Sequence, residues 1–270
     1  MKKLLSLALC ALMIFSAAAT VFAAEENVYA IDFEAQALGS AAQSIDTHAL
    51  YNNPDAGEID IVQFDGDKAL RINKTELGTK YGCYSQLLYN NANGVAKWGA
   101  EDQFVVEYDV YLETTHENMI FTLGTMSCAG TSGTAWIEPF LIKGMDLGVY
   151  VNGVKEPVKN LKLKTWYKIA VAFDMEKKVS ALYIDGVKIA KDVAFNAAIT
   201  SNLVRFVRLA YAKSNVGAYS CYLDNIKVYN AKQPRVIKEA SAPQTFDAAV
   251  VLAVVSVVSA SGVIVSKKRK

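Results

Sequence analysis

The stretch TWYKIAVAFDMEKKVSALYIDGVKIA, residues 165–190, decides the fold. Tyr167, Ile169, Val171 and Phe173 alternate with Trp166, Lys168, Ala170 and Ala172. A period of two sends successive side chains to opposite faces, which is the pattern of a half-buried strand. Residues 174–178 make a charged loop of hairpin length, and residues 179–184 are rich in strand formers. Asp185-Gly186 then offers the positive φ angles of a tight primed turn, after which Val187 to Ala190 runs back. A solvated helix needs apolar residues every three or four positions, and that spacing is absent here.

The same reading extends outward. It predicts strands over residues 30–34, 58–64, 68–73, 84–90, 104–113, 119–124, 147–151, 203–211 and 219–229, with turns at Asp65-Gly66-Asp67 and Asn152-Gly153. Residues 130–134 read as a Gly/Thr/Ser loop. No stretch makes a convincing amphipathic helix. Short strands punctuated about every ten residues indicate a single all-β sandwich over residues 28–230. Tyr150-Val-Asn-Gly-Val-Lys155 echoes Tyr183-Ile-Asp-Gly-Val-Lys188, which reads as two similar hairpins and not as a repeat array.

The two ends carry a different composition. Lys2 and Lys3 precede a short apolar run and a small-residue end at Ala23-Ala24, so residues 1–24 read as a signal peptide. Residues 231–247 read as a linker. Residues 248–265 are small and apolar, nearly long enough to span a bilayer, and residues 266–270 form a basic cytoplasmic tail. The expected location is therefore the cell membrane or wall surface, with the domain outside. The motif Ala242-Pro243-Gln244-Thr245-Phe246, the apolar span and the basic end together resemble the cell-wall sorting signals of Gram-positive surface proteins. Pro243 and Thr245 match that pattern, whereas Ala242 and Phe246 replace its Leu and Gly. The resemblance implies a bacterial surface protein, and the departure favours a retained transmembrane helix over wall attachment.

The chain has 270 residues and a formal net charge of +1. Setting aside Lys2, Lys3 and the four basic residues at 267–270 leaves 22 basic against 27 acidic residues. A mildly acidic ectodomain argues against nucleic acid as a partner. Beyond the export segment stand Cys83, Cys128 and Cys221, an odd number that leaves one disulfide or three free thiols open. Only His48 and His116 are present, with no nucleophile elbow or phosphate loop.

Trp166-Tyr-Lys-Ile-Ala, the strand end Phe173-Asp174, Tyr183-Ile-Asp-Gly186 and the closing Tyr222-Leu-Asp-Asn-Ile-Lys-Val-Tyr229 resemble the laminin-G-like, concanavalin A-like domains. The resemblance implies a two-sheet antiparallel jelly-roll sandwich. It implies a role among glycan-binding modules, adhesion domains, glycosidases and lyases, and a fold more firmly than an activity. It also implies a structural calcium near the first and last strands, with Asp32, Glu34 and Asp224 in the matching positions. Gly57-Glu-Ile-Asp-Ile-Val-Gln63 resembles the Glu-x-Asp-x-x-Glu strand of laminarinase-type glycosidases. Glu58 and Asp60 match, but Gln63 replaces the acid/base, and an amide does no general acid/base work.

Candidate ligand contacts follow from residue type and position. On residues 104–113, Phe104, Val106, Tyr108, Val110 and Leu112 form a core face, leaving Val105, Glu107, Asp109, Tyr111 and Glu113 on the other. Glu107 and Asp109 are placed to accept hydrogen bonds from sugar hydroxyls. Aromatic faces stack on sugar rings, and the aromatics in loop-like stretches are Trp98, Trp136, Tyr81, Tyr84 and Tyr219. Trp166 opens a core strand and reads as structural. The expected protein is a surface-anchored, non-catalytic domain that binds carbohydrate or another extracellular ligand. A glycoside hydrolase or polysaccharide lyase of the same fold, or a structural envelope or adhesion protein, are the alternatives.

Overall fold

The computed structural model describes residues 27–41, 44–45, 50–54, 57–74, 84–88, 103–117, 120–130, 133–151, 154–195, 204–212 and 218–238. The expected signal peptide, membrane span and sorting-like Pro243 and Thr245 lie outside them, as do Tyr81 and Trp98. For Tyr84 and Trp136 only the backbone is described. Among the described residues no helix is long and apolar enough to cross a membrane.

Those residues are organised by strands. In chain order they are β1 (Asn27–Ile31), β2 (Gly39–Ser40), β3 (Ser44–Ile45), β4 (Leu50–Asn53), β5 (Gly57–Phe64), β6 (Asp67–Lys74), β7 (Tyr84–Leu88), β8 (Gln103–Thr114), β9 (Ile120–Leu123) and β10 (Thr125–Gly130). There follow β11 (Gly133–Ile137), β12 (Phe140–Lys143), β13 (Gly148–Val151), β14 (Lys159–Asn160), β15 (Trp166–Asp174), β16 (Val179–Ile184), β17 (Val187–Ala194), β18 (Val204–Ala212) and β19 (Tyr219–Tyr229). One sheet has the order β17-β16-β15-β8-β19-β6-β5-β2, with β1 also paired to β19. The other runs β14-β13-β12-β9-β18-β7-β4-β3, with β10 and β11 attached through β18. All the ladders between these strands are antiparallel.

The meander forms as its alternation requires. Ile169, Val171 and Phe173 are buried in the core with Phe104, Val106 and Tyr108 of the neighbouring β8. Asp185 and Gly186 take φ values of 54° and 81°, which twist the chain with the right hand for a two-residue hairpin. The second sheet closes the core with Phe121, Leu123, Phe140, Val207 and Leu209. Tyr108 Oη donates across the sandwich to the Leu209 carbonyl at 2.8 Å, and burial pushes its pKa up. Gly124 faces Val171 of the opposite sheet: a Cβ there would meet Val171 Cγ2 at 2.9 Å, and its φ is +60°.

Several details differ from the sequence reading, among them the expected loop over 130–134: Gly130 ends β10, and Gly133 and Thr134 open β11, paired back onto it. The first strand stops at Ile31, because Phe33 turns with φ 64° and buries its ring. Residues 119–124 do not continue as one strand, since Gly124 bends the chain into β10. The strand Phe140–Lys143 is short and almost wholly apolar, so it carried no period-two signal. Finally, residues 231–238, the start of the expected linker, make contacts with the sheet. The backbone N–H of Lys238 donates to the Gly186 carbonyl at 2.9 Å, and Val187 and Lys238 form a parallel bridge. The Arg235 guanidinium lies 4.0 Å from the centroid of the Tyr229 ring. Residues 231–238 thus strap the outer face of the first sheet.

Candidate functional site

The outer face of that sheet is built in cross-strand rows. Trp166 of β15 pairs with Tyr111 of β8, Tyr111 with Tyr222 of β19, Tyr222 with Arg71 of β6, and Arg71 with Asp60 of β5. Side chains directly opposite on one face are the natural unit of contact in a sheet. Phe64, at the end of β5, leans over the row. It stacks on Tyr222 at 3.8 Å between centroids and meets Tyr111 edge-on at 4.9 Å and Trp166 at 5.9 Å. Aromatic pairs of this kind are worth about 0.5–1.5 kcal/mol each beyond their buried area. Trp166 nevertheless remains half-buried, as do Phe64 and Tyr111. Its indole N–H donates to Asp65 at 3.2 Å, which fixes the ring's orientation.

The next row is polar. Lys168 pairs with Asp109, and Asp109 with Asp224. Here β19 carries a bulge between Asp224 and Lys227, and Asn225 takes φ 50°. The extra residue aims Asp224 and Asn225 at the same face. Asn225 Nδ2 donates to both Asp109 (2.9 Å) and Asp224 (3.2 Å). Lys168 Nζ donates to Asp109 at 2.9 Å and lies 3.7 Å from Glu107. Burial would lower the Lys168 pKa, but these two carboxylates outweigh it and hold the ammonium above its ordinary value. Asp224 is pushed up to about 6, first by desolvation and then by the negative charges of Asp109, Asp32 and Asp67. Tyr222 is pushed up to about 12 by burial and by the hydrogen bond it donates to Glu113 at 3.0 Å.

Between the two rows lies a pocket of about 240 Å³, lined by Phe64, Asp65, Asp67, Ala69, Asp109, Trp166, Asp224 and Asn225. It falls below the roughly 300–1,000 Å³ of drug-sized sites, so it suits one monosaccharide-sized group. One wall is aromatic and the other is a fan of carboxylates around an amide.

Of the residues singled out from sequence, Asp109 and Asp224 meet in this pocket. Glu107 lies in the next row toward the strap and accepts a hydrogen bond from Tyr229 Oη at 3.1 Å. Tyr219 is not a surface contact. It is in phase with Cys221 and Leu223, is 1% exposed, and packs edge-on against Phe121 in the core. Asp32 is close enough to Asp224 to raise its pKa, but Glu34 turns away and accepts from the Lys68 backbone N–H at 2.7 Å. Among the described residues no three His, Cys, Asp or Glu side chains converge on a metal position. Gln63 is exposed and donates to the Gly66 carbonyl at 2.9 Å, while Glu58 and Asp60 are engaged by Arg71. Trp166, read as structural, proves to be the pocket's rim. Its parity with Lys168 was the available signal, because both alternate with the core residues.

No family model matches this chain, and no curated protein does. Solved structures do match in fold. A structure titled sialidase aligns over 76% of this chain at 10% identity with a TM-score of 0.51, although the match is only 19% of that longer chain. The endo-β-1,4-glucuronan lyase of the fungus Trichoderma reesei aligns over 76% of this chain and 96% of its own, at 10% identity and TM-score 0.48. For the alginate lyase Aly36B the values are 76%, 98%, 12% and 0.49. At such identities the likeness is one of fold: a sandwich of antiparallel sheets.

Proposed function

We propose that this is a jelly-roll, concanavalin A-like domain that binds carbohydrate without cleaving it, and that the pocket between Phe64 and Trp166 is where a sugar sits. The observation that carries the reading is the half-buried Trp166 ring facing a cavity whose opposite wall is made of carboxylates and an amide. The C–H face of a pyranose packs on an aromatic ring, and its hydroxyls donate to carboxylates in charge-assisted hydrogen bonds. Export and anchoring at a bacterial surface belong to the same proposal, on the strength of residues 1–24 and 248–270. The test is a glycan array with the full chain. Binding to a defined class of glycan, lost in Trp166→Ala with the fold retained, is the expected result. Undiminished binding in Trp166→Ala contradicts the assignment of the pocket.

A second reading, a glycoside hydrolase or polysaccharide lyase, is favoured by one observation. Asp224, raised to about 6, shares the Asn225 amide with Asp109, and such a pair separates an acid from a base. It ranks second because Asp109 is held by Lys168 and Asp224 is held by its neighbour's backbone N–H at 2.7 Å. Release of reducing ends or unsaturated sugars from any glycan found on the array, abolished in Asp224→Asn, would raise it to first.

A further inference from the structure

Resting on the carbohydrate reading, we infer that the sugar this pocket takes carries a positive charge: an amino sugar with a free ammonium group, of the glucosamine type. Four aspartates, Asp65, Asp67, Asp109 and Asp224, line the pocket, and no lysine or arginine does. Of the cations nearby, two are engaged elsewhere and the third offsets a single carboxylate. The Arg71 guanidinium is turned to Asp60 and Glu58. Lys68 Nζ donates to the carbonyls of Glu34 and Gln36 at 2.7 and 2.8 Å. Lys168 neutralises Asp109 from outside the lining. The pocket therefore keeps an excess of negative charge beside the half-buried rings of Phe64 and Trp166.

That combination selects among ligands. An ammonium brings three donors to the carboxylates, and the face of Trp166 or Phe64 attracts it further through the ring quadrupole. A uronic or sialic acid would bring its carboxylate against a wall that already holds excess negative charge. A neutral sugar would leave the repulsion among the aspartates in place, which the raised Asp224 already registers. A divalent metal is the poorer fit, because calcium takes 6–8 oxygen ligands and among the described residues no three carboxylates converge on one position.

The experiment is calorimetric titration of the full chain with three hexasaccharides: β-1,4-linked glucosamine, its N-acetylated counterpart, and β-1,4-linked glucuronic acid. The buffer is mildly acidic, so that the amines are charged, and contains EDTA. The glucosamine hexamer is expected to bind at least tenfold more tightly than the N-acetylated one, and the uronic hexamer not at all. Raising salt from about 50 to about 300 mM should weaken the glucosamine hexamer alone, because an exposed charge interaction is screened over that range. Asp67→Asn, at the exposed start of β6, should weaken it several-fold with no loss of fold. Equal binding of the glucosamine and N-acetylated hexamers, both lost in Trp166→Ala, would overturn the charge inference and leave the carbohydrate reading standing. Binding that appears only when calcium replaces EDTA would overturn it as well. Failure of all three hexamers would also overturn it, and the glycan array then decides the carbohydrate reading separately.

Discussion

One sheet face, crossed by the same three strands, ends in two different ways. Toward the strap, Val105 of β8, Ala170 and Ala172 of β15, Tyr183 of β16 and Tyr229 of β19 form a small second core, none of them more than 4% exposed. Residues 231–238 cover it, with Arg235 over Tyr229. Toward the other end, Tyr111 of β8 and Trp166 of β15 gather with Tyr222 of β19 and Phe64 of β5 into a cluster of similar size, and it stays open beside Asp65, Asp67, Asp109 and Asp224. Aromatic surface is costly to leave in water wherever it lies. At the first end the chain itself removes it. At the second the surface is kept, with a ring of carboxylates around it. On the proposed reading, the contrast separates a packing device from a recognition device on a single surface.

Substitutions at the two ends should differ in what they cost. The largest effect belongs to the covered end: Tyr229→Ala removes a ring with no exposure and should cost about 3–5 kcal/mol in denaturant unfolding. Trp166→Ala should cost only about 1 kcal/mol, since the ring is half-buried and loses two aromatic contacts, yet it should weaken glycan binding more than tenfold. Equal stability losses with unchanged binding would mean that both ends are merely packing. Arg235→Ala should lower the melting temperature by about 2–4 °C through the lost cation–π contact and should leave binding unchanged.

The smallest effect depends on pH. Asp224 has a folded pKa of about 6 against an ordinary value of 3.8. The folded state therefore binds the proton more tightly, and stability falls as pH rises from about 4 to about 6. Asp224→Asn should stabilise the protein above pH 6 and make no difference near pH 4. A two-unit shift corresponds to about 3 kcal/mol, and partial exposure reduces that to about 1 kcal/mol. Melting curves at the two pH values check it, and a stabilisation of the same size at both would refute the desolvation account.

The sequence makes the covered and open ends legible to different degrees. Period-two alternation places Glu107, Asp109, Tyr111 and Glu113 on one face of β8, and β8 does present them outward. The Asp185-Gly186 and Asp65-Gly66 turns follow from residues that tolerate positive φ. What stays hidden is non-local. Phe64 and Trp166 lie 5.9 Å apart only because β5, β6, β19, β8 and β15 are neighbours in that order, and no local pattern specifies strand order. The bulge at Asp224-Asn225 is hidden for a related reason, since it exists only relative to the register of β8. The strap was obscured because residues 231–238 have no regular apolar period and pack through backbone bonds and one arginine. Trp166 itself is legible by parity with Lys168, although its place at the opening of a core strand points to a packing role.

The central claim is that the open end of this face is a sugar site. Its most direct test is the indole N–H resonance of Trp166, assigned by its disappearance in Trp166→Phe, followed while the glucosamine hexamer is added to the full chain. The account predicts a saturable shift of that resonance, with the backbone amide of Tyr229 at the strapped end unmoved. A hexamer that binds while the Trp166 indole stays in place would contradict it.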